Sequence, residues 1–236
     1  AAYQGDINDD SLMEKIFSVH KPEAVFHCAA LLAHVKKDLK RLWHANVDGT
    51  RNVYDFALKY GVKKIVFISS NCLWAKNFDS PVTEDEEPNP VEIYGKSKLE
   101  GEKILLSQPD KINSIIFRSP TIMDEGRLGL LGILFEFIDE GRKLPMVGDG
   151  TNRYQFIYAK DLAKACELAL AADYSEIFNI GADDVKSFNE VYQYVINKSG
   201  SGSRLFHFPK LPMIWAMKVC FWLGISPLGP YQYKMI

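Results

Sequence analysis

The chain has 236 residues, 47% of them hydrophobic and 25% charged, enough to build a sizeable core. Its 28 basic and 30 acidic side chains leave a net charge of −2, which excludes a polyelectrolyte partner such as nucleic acid. The four cysteines (Cys28, Cys72, Cys166, Cys220) are far apart with no C-x-x-C, and the five histidines show no metal-ligand spacing. A reduced, cytoplasmic protein with no metal site is expected. The N-terminus carries no charged-then-apolar leader pattern.

In chain order, residues 1–7 read as a strand end running into a loop. Asp10 or Ser11 is expected to cap a short helix, SLMEKIFSVH. The run AVFHCAA (24–30) is apolar and ends in small residues, as a buried parallel strand does where a flat ligand approaches the backbone. A helix is predicted over about 38–60, closed by Gly61, and a second apolar strand over 62–70 (VKKIVFISS). A Pro-rich, acidic loop (79–90) precedes a helix over about 92–107, and NSIIF (113–117) is a third strand. Later segments predict a helix at about 130–142, an extended-to-helix stretch over 156–170, a short strand at 176–180 and a helix at 188–198. SGSGS (199–203) reads as a flexible link.

This alternation argues a parallel α/β sheet, in which ligands lie beyond the carboxyl ends of the strands. The residues at those ends are Ala29 and Ala30, Ser69 and Ser70, and Ser119 and Pro120. Tyr94 and Lys98 stand four apart, so one helix face presents a phenol and an ammonium together. A cation at about 4–6 Å favours the phenolate, and lowering a phenol by three pH units takes roughly 4 kcal/mol. The same spacing also occurs on ordinary surface helices, so the pair needs a cofactor site around it to carry weight.

The stretch 211–228 (LPMIWAMKVCFWLGISPL) is apolar and about long enough to span a bilayer, but it contains Pro212, Lys218 and Pro227. It is read as an amphipathic or buried helix over 211–223, ended by Gly224 and Pro227, and no membrane association is expected. Phe206, Phe208, Trp215, Phe221 and Trp222 are expected in the core of a small substrate-binding region, or lining an apolar pocket there.

Seven ordered pieces carry a resemblance. They are Gly5-Asp6-Ile7, Val25 to Ala30, Asn46-x-x-Gly49-Thr50, Phe67 to Ser70, Tyr94-x-x-x-Lys98, Arg118-Ser119-Pro120 and Phe156 to Ala163. Together they resemble the extended short-chain dehydrogenase/reductase family, the NAD-dependent epimerase/dehydratase group. The resemblance implies a Rossmann-type doubly wound parallel sheet with a smaller C-terminal substrate-binding region. Residues 1–122 would form the dinucleotide-binding domain and 123–236 mainly the substrate-binding region, with about 156–172 returning to the cofactor domain. It further implies NAD or NADP as cofactor, a small-molecule substrate, and a homodimer through the helices at 38–60 and 92–107.

By the same resemblance, Asp6 and Ile7 would lie at the adenine, and Cys28, Ala29, Ala30, Leu31 and Ser69 would line the dinucleotide. Asn46 would sit near the nicotinamide, and Pro120 would pack on it. Tyr94 would be the general acid/base, Ser70 would hold the substrate oxygen, and Lys98 would hold the nicotinamide ribose and depress the Tyr94 pKa. Thr121 and Arg153 would meet the substrate, and Arg127 is a second candidate for a diphosphate.

The sequence departs from the family in lacking its Gly-rich turn, first helix and ribose-reading acid before residue 1, so an N-terminal piece is expected to be missing. Gly126-x-x-Gly129-x-x-Gly132 has a phosphate-loop spacing but follows the Tyr94 motif instead of preceding it, and is read as a decoy. The positions after Ser70 hold Asn71 and Cys72 where a sugar dehydratase carries Asp-Glu, which disfavours dehydration. The leading expectation is a nucleotide-sugar epimerase or related oxidoreductase. The alternatives are a 3-beta-hydroxysteroid-dehydrogenase-like enzyme of hydrophobic alcohols or ketones, and a non-catalytic dinucleotide sensor.

Overall fold

The structure is a computed structural model that describes residues 1–32, 38–74, 80–126 and 130–223. The chain divides into two compact units, Ala1–Ser119 with Lys160–Ile180, and Pro120–Ala159 with Gly181–Ile236.

The first unit is built on a four-stranded parallel sheet, ordered β1 (Ala24–His27), β2 (Lys64–Ser70), β3 (Asn113–Ser119) and β7 (Glu176–Asn179). This is the α/β parallel architecture that the alternation of apolar runs predicts. β2 and β3 are buried along nearly their whole length, as central parallel strands must be. Their register sets Ser69 beside Arg118 and Ser70 beside Ser119, so the two carboxyl ends are level. Helix α1 (Asp10–His20) is capped one residue earlier than expected, by Asp9, whose carboxylate accepts from the N–H groups of Ser11 and Leu12. Met13 and Phe17 of α1 pack with Val53, Tyr54 and Ala57 of α3 (Gly49–Lys59) and with Ile65, Phe67 and Ile116 of the sheet.

The helix expected over 38–60 is not uniform. It runs as α2 (Leu39–Trp43), a π-helical turn (His44–Asp48) and then α3. The π-helical turn buries both Asn46 and Val47. α4 (Ile93–Leu105) carries the Tyr94 motif, and the segment returning from the second unit supplies α6 (Ala159–Ala169). Lys64 at the start of β2 is buried and donates to the carbonyls of Leu170 (2.7 Å) and Ala172 just beyond α6, where a cation also suits the helix dipole.

In the second unit β4 (Thr121–Met123) pairs in parallel with β6 (Phe156–Tyr158), which is why the returning segment begins at Lys160 and not at 156. β5 (Leu144–Val147) pairs in parallel with β8 (Leu205–Phe208). β4, β5 and β8 are too short to show a period in the sequence. α5 (Leu130–Asp139) and α7 (Phe188–Ser199) close a small core of Ile138, Leu144, Met146, Tyr192 and Ile196. A capping box between Ser187 and Glu190 starts α7, and Gly200 at φ 67° ends it.

α8 (Lys210–Trp222) forms close to its expected bounds, but none of its residues is buried. Trp215 is 71% and Trp222 83% exposed, and Phe206 is exposed as well, so these aromatics are not the core residues the sequence suggests. Gly224 and Pro227, the expected stop, lie outside the described residues. Among the described residues no helix is long and apolar enough to cross a membrane.

Candidate functional site

The ends of β2 and β3 and the first turns of α4 bring the chemistry of the first unit together. Ser69 and Ser70 point to opposite faces, as neighbours in a strand do. Ser69 turns inward, and its hydroxyl donates to Glu102 Oε1 at 2.5 Å. Ser70, 8% exposed, accepts from the Cys72 N–H at 3.2 Å and caps the 3-10 turn Asn71–Leu73.

On α4, Tyr94, Lys98 and Glu102 follow one another at four-residue steps along one stripe. Tyr94 is half-buried; Lys98 is 3% and Glu102 2% exposed. Gly95 sits directly against the turn after Ser70. A Cβ there would lie 2.4 Å from the Cys72 carbonyl oxygen and 2.9 Å from Pro90 Cβ. Only glycine lets this helix approach so closely, and the approach fixes Tyr94 relative to Ser70.

The Lys98 ammonium lies 3.9 Å from the centroid of the Phe67 ring. Burial pushes its pKa down to about 7, and the carboxylate of Glu102, then Cys28, resist that fall. Glu102 is itself held by Arg118, whose Nη2 is 2.9 Å from Oε2 and whose Nε reaches both carboxylate oxygens at 3.2 and 3.3 Å. The guanidinium also lies over the Trp74 ring and donates to the Glu84 carbonyl.

Asn46 is 3% exposed and acts as a clamp. Its Oδ1 accepts from the Leu31 N–H at 2.6 Å, and its Nδ2 donates to the Leu31 carbonyl at 3.0 Å and to Ser97 Oγ at 2.9 Å. Both amide hydrogens are therefore engaged within the protein. Asn46 thus ties the loop after β1 to the middle of α4. Ser97 passes the link on by donating to the Tyr94 carbonyl at 2.7 Å. The chain continues to Thr50, which donates to the Asn46 carbonyl, and to His27, whose Nε2 is 2.8 Å from Thr50 Oγ1. Burial, then the charge of Lys98, holds the His27 pKa down at about 4.

Cys28, Ala29 and Ala30 are exposed at the end of β1, and Leu31 is half-buried beneath the clamp. Asp6 is exposed, and the Asn8 backbone N–H holds its carboxyl below the usual value. Ile7 is fixed from two sides: Asn52 Nδ2 donates to its carbonyl at 2.7 Å, and a Cβ on Gly49 would meet its Cδ1 at 2.5 Å.

Three expected residues belong to the second unit. Pro120 is buried, Thr121 Oγ1 is 2.8 Å from the Tyr154 hydroxyl, and the exposed Arg153 donates to the Val185 carbonyl at 3.0 Å. Arg127 lies outside the described residues. Sequence reasoning misses Gly95, Glu102 and the His27–Thr50 pair. Of these, Glu102 has a signal, being one further step along the Tyr94–Lys98 stripe.

A parallel α/β sheet with Tyr94, Lys98 and Ser70 gathered at its carboxyl edge defines the class. The model of the NAD dependent epimerase/dehydratase family matches residues 1–181, and the chain belongs to that family. It is similar to the uncharacterized protein y4nG of Sinorhizobium fredii, at 38% identity over 90% of this chain and 54% of that protein. It is similar to UDP-glucose 4-epimerase of Lactobacillus helveticus, at 32% identity over 76% of this chain and 62% of that enzyme. The chain thus spans between half and two thirds of these relatives' length. Among solved structures it is similar to UDP-glucose 4-epimerase of Thermotoga maritima with UDP-glucose, with a TM-score of 0.78 and 27% identity over 88% of this chain and 71% of that one.

Proposed function

We propose that the protein is an NAD(P)-dependent epimerase or related oxidoreductase of a nucleotide sugar, acting at a carbinol carbon. The observation that carries the reading is the buried Lys98 one turn beyond Tyr94, on a helix that Gly95 seats against the Ser70 turn. Epimerases of UDP-glucose among the similar proteins support the substrate class.

The residues present fit a dinucleotide. Cys28, Ala29 and Ala30 offer an exposed strand end with short side chains, and Lys98 offers a buried cation for ribose hydroxyls. Asp6 and Ile7 would take the adenine end. The nicotinamide, when bound, supplies the hydride acceptor. Tyr94 would take the substrate hydroxyl proton and later return it, and Ser70 would hold the same oxygen. Lys98, charged when it gains ribose oxygens and a phenolate as neighbours, would favour the ionised Tyr94. Asn46 and Ser97 would keep Tyr94 and the loop after β1 in register. Thr121 and Arg153 are proposed to meet the sugar and the diphosphate.

Tyr94→Phe tests the reading. Turnover of UDP-sugars with NAD should fall about 100- to 10,000-fold, the range for a positioned acid/base. Binding of NAD, followed by fluorescence, should survive. Turnover equal to the parent overturns the assignment. Thermal shifts with UDP-sugars against sterol-like ketones, each with NAD present, test the substrate class, because only a ligand that binds the native state raises the midpoint.

A further inference from the structure

Lys98 is a buried cation, 3% exposed, with its ammonium 3.9 Å from the centroid of the Phe67 ring. An ion at such a depth gives up its charge unless an opposite charge stands near. The groups that face it come from three elements. β1 and the residue after it bring His27 and Cys28, and α4 brings Tyr94 and Glu102. β3 brings Arg118, which is bound to Glu102. His27, with its pKa held at about 4, is neutral at physiological pH, and burial pushes the Cys28 thiol up, so that it is neutral as well. Tyr94 is the phenol on which Lys98 acts. The anion that remains among these groups is Glu102.

Glu102 is arranged so that it does not take the ammonium for itself. Arg118 Nη2 donates to its Oε2 at 2.9 Å, and Arg118 Nε reaches Oε1 and Oε2 at 3.2 and 3.3 Å. The Ser69 hydroxyl donates to Oε1. These contacts fill the roughly four acceptor sites of a carboxylate. Glu102, Arg118 and Ser69 are all buried, so water does not compete for them. A carboxylate saturated in this way supplies charge one helical turn from Lys98 and leaves the lysine N–H groups to a ligand. Its pull is the largest that favours the Lys98 cation, against the burial that brings the lysine down to about 7.

We propose that Glu102 is a positioning residue that keeps Lys98 charged for the cofactor and for Tyr94, with Arg118 and Ser69 occupying its oxygens, and that this buried cluster sets the upper pH limit for cofactor binding. The proposal rests on the Tyr94–Lys98 reading above. Ribose hydroxyls and a phenolate both need the charged lysine, so the site is competent below the Lys98 titration and weakens above it. Removing the Glu102 charge moves that limit to lower pH.

The test follows Lys98 itself. The 236-residue chain is labelled with carbon-13 at lysine Cε, and the Lys98 signal, identified by its loss in Lys98→Arg, is followed by NMR against pH. In Glu102→Gln, which keeps a hydrogen-bonding side chain for Arg118, the midpoint should fall by at least about one pH unit, the lower end of the effect of an opposite charge nearby. NAD affinity, read by fluorescence, should stay within about twofold of the parent at about pH 5.5 and be about tenfold weaker at about pH 8. A merely structural lesion would weaken binding alike at both. A folded variant whose Lys98 titrates as in the parent overturns the proposal, and so does one whose NAD binding is weakened equally at the two pH values. If Glu102→Gln fails to fold, Glu102→Gln/Arg118→Met, which removes both buried charges, is read in the same way. A parent chain that turns over no UDP-sugar refutes the proposed reaction, while the Lys98 midpoint still decides the role of Glu102.

Discussion

α4 and α8 are both thirteen residues long, and their fates are opposite to their compositions. α4 reads IYGKSKLEGEKIL, rich in charge and glycine, yet it buries Lys98 and Glu102 along with Gly95, Ser97, Gly101, Ile104 and Leu105. α8 reads KLPMIWAMKVCFW, almost wholly apolar, and buries none. The difference lies in what each helix faces. α4 lies against the carboxyl ends of strands that present Phe67, Ser69 and Arg118, so its charged groups find partners that offset their desolvation. Among the described residues α8 has half its circumference uncovered, and hydrophobicity alone does not bring a neighbour. Burial follows the surroundings that the topology supplies, and a buried charge is tolerated where its partner is built in.

The sharpest way to break this comparison is to remove a partner. Glu102→Ala leaves the Arg118 guanidinium buried and uncompensated, and should lower stability by about 3–5 kcal/mol in urea unfolding. Arg118→Met added to Glu102→Ala should recover much of the loss, because the charge that lost its partner is then gone too. A single variant within 1 kcal/mol of the parent (about a fivefold change in the folded ratio) would mean that the pair is not desolvated, and that α4 is no more committed to the interior than α8.

The next effect is one of pH. His27 is 3% exposed, with a folded-state pKa of about 4 against an ordinary 6.5. As pH falls below 6.5 the unfolded chain takes up the proton first. The His27 contribution to stability is therefore complete above 6.5 and falls between about 6.5 and 4, by roughly 3 kcal/mol in all. His27→Asn should flatten that limb of the stability-against-pH curve. The same slope in the variant would show that another group titrates there.

Much of this region is legible in the sequence, and the reasons are local. The apolar runs at 62–70 and 113–117 are long enough to declare buried strands, and Tyr94 and Lys98 declare their shared face through spacing alone. What escapes are features set by partners distant in sequence. The π-helical turn carries Asn46, whose partners Leu31 and Ser97 stand fifteen and fifty-one residues away. Asn46 is visible as a special residue, but only the hydrogen bonds show that it holds the site together from within. Ser69 and Ser70 look alike in the sequence, and strand alternation separates an inward hydroxyl on Glu102 from one at the edge. The apolar stretch at 211–223 predicts a helix correctly but leaves open whether it is amphipathic or buried, since composition reports what a segment tolerates and not what covers it.

A smaller effect sharpens the comparison on the α4 side. Gly95→Ala places a methyl 2.4 Å from the Cys72 carbonyl oxygen, which is backbone and cannot swing away. The helix must retreat, at a cost of about 1–3 kcal/mol. Tyr94 moves with it, and a displacement near 1 Å should lower kcat about 100-fold. Steady-state turnover and urea unfolding read the two consequences separately. A variant with parental kcat would show that the contact does not position Tyr94.

The smallest expected change is on α8. Trp215→Ser exchanges a side chain that is 71% exposed, so little transfer free energy and no cavity are at stake, and global stability should stay within about 0.5 kcal/mol. The same change at a buried aromatic costs about 3–5 kcal/mol, and the two outcomes are therefore well separated in a urea titration. A loss above 2 kcal/mol (about thirtyfold in the folded ratio) would place Trp215 in a packed interior, and α8 would then obey the same rule as α4. Retained stability gives the opposite result, and the tryptophan would then contribute nothing to the fold.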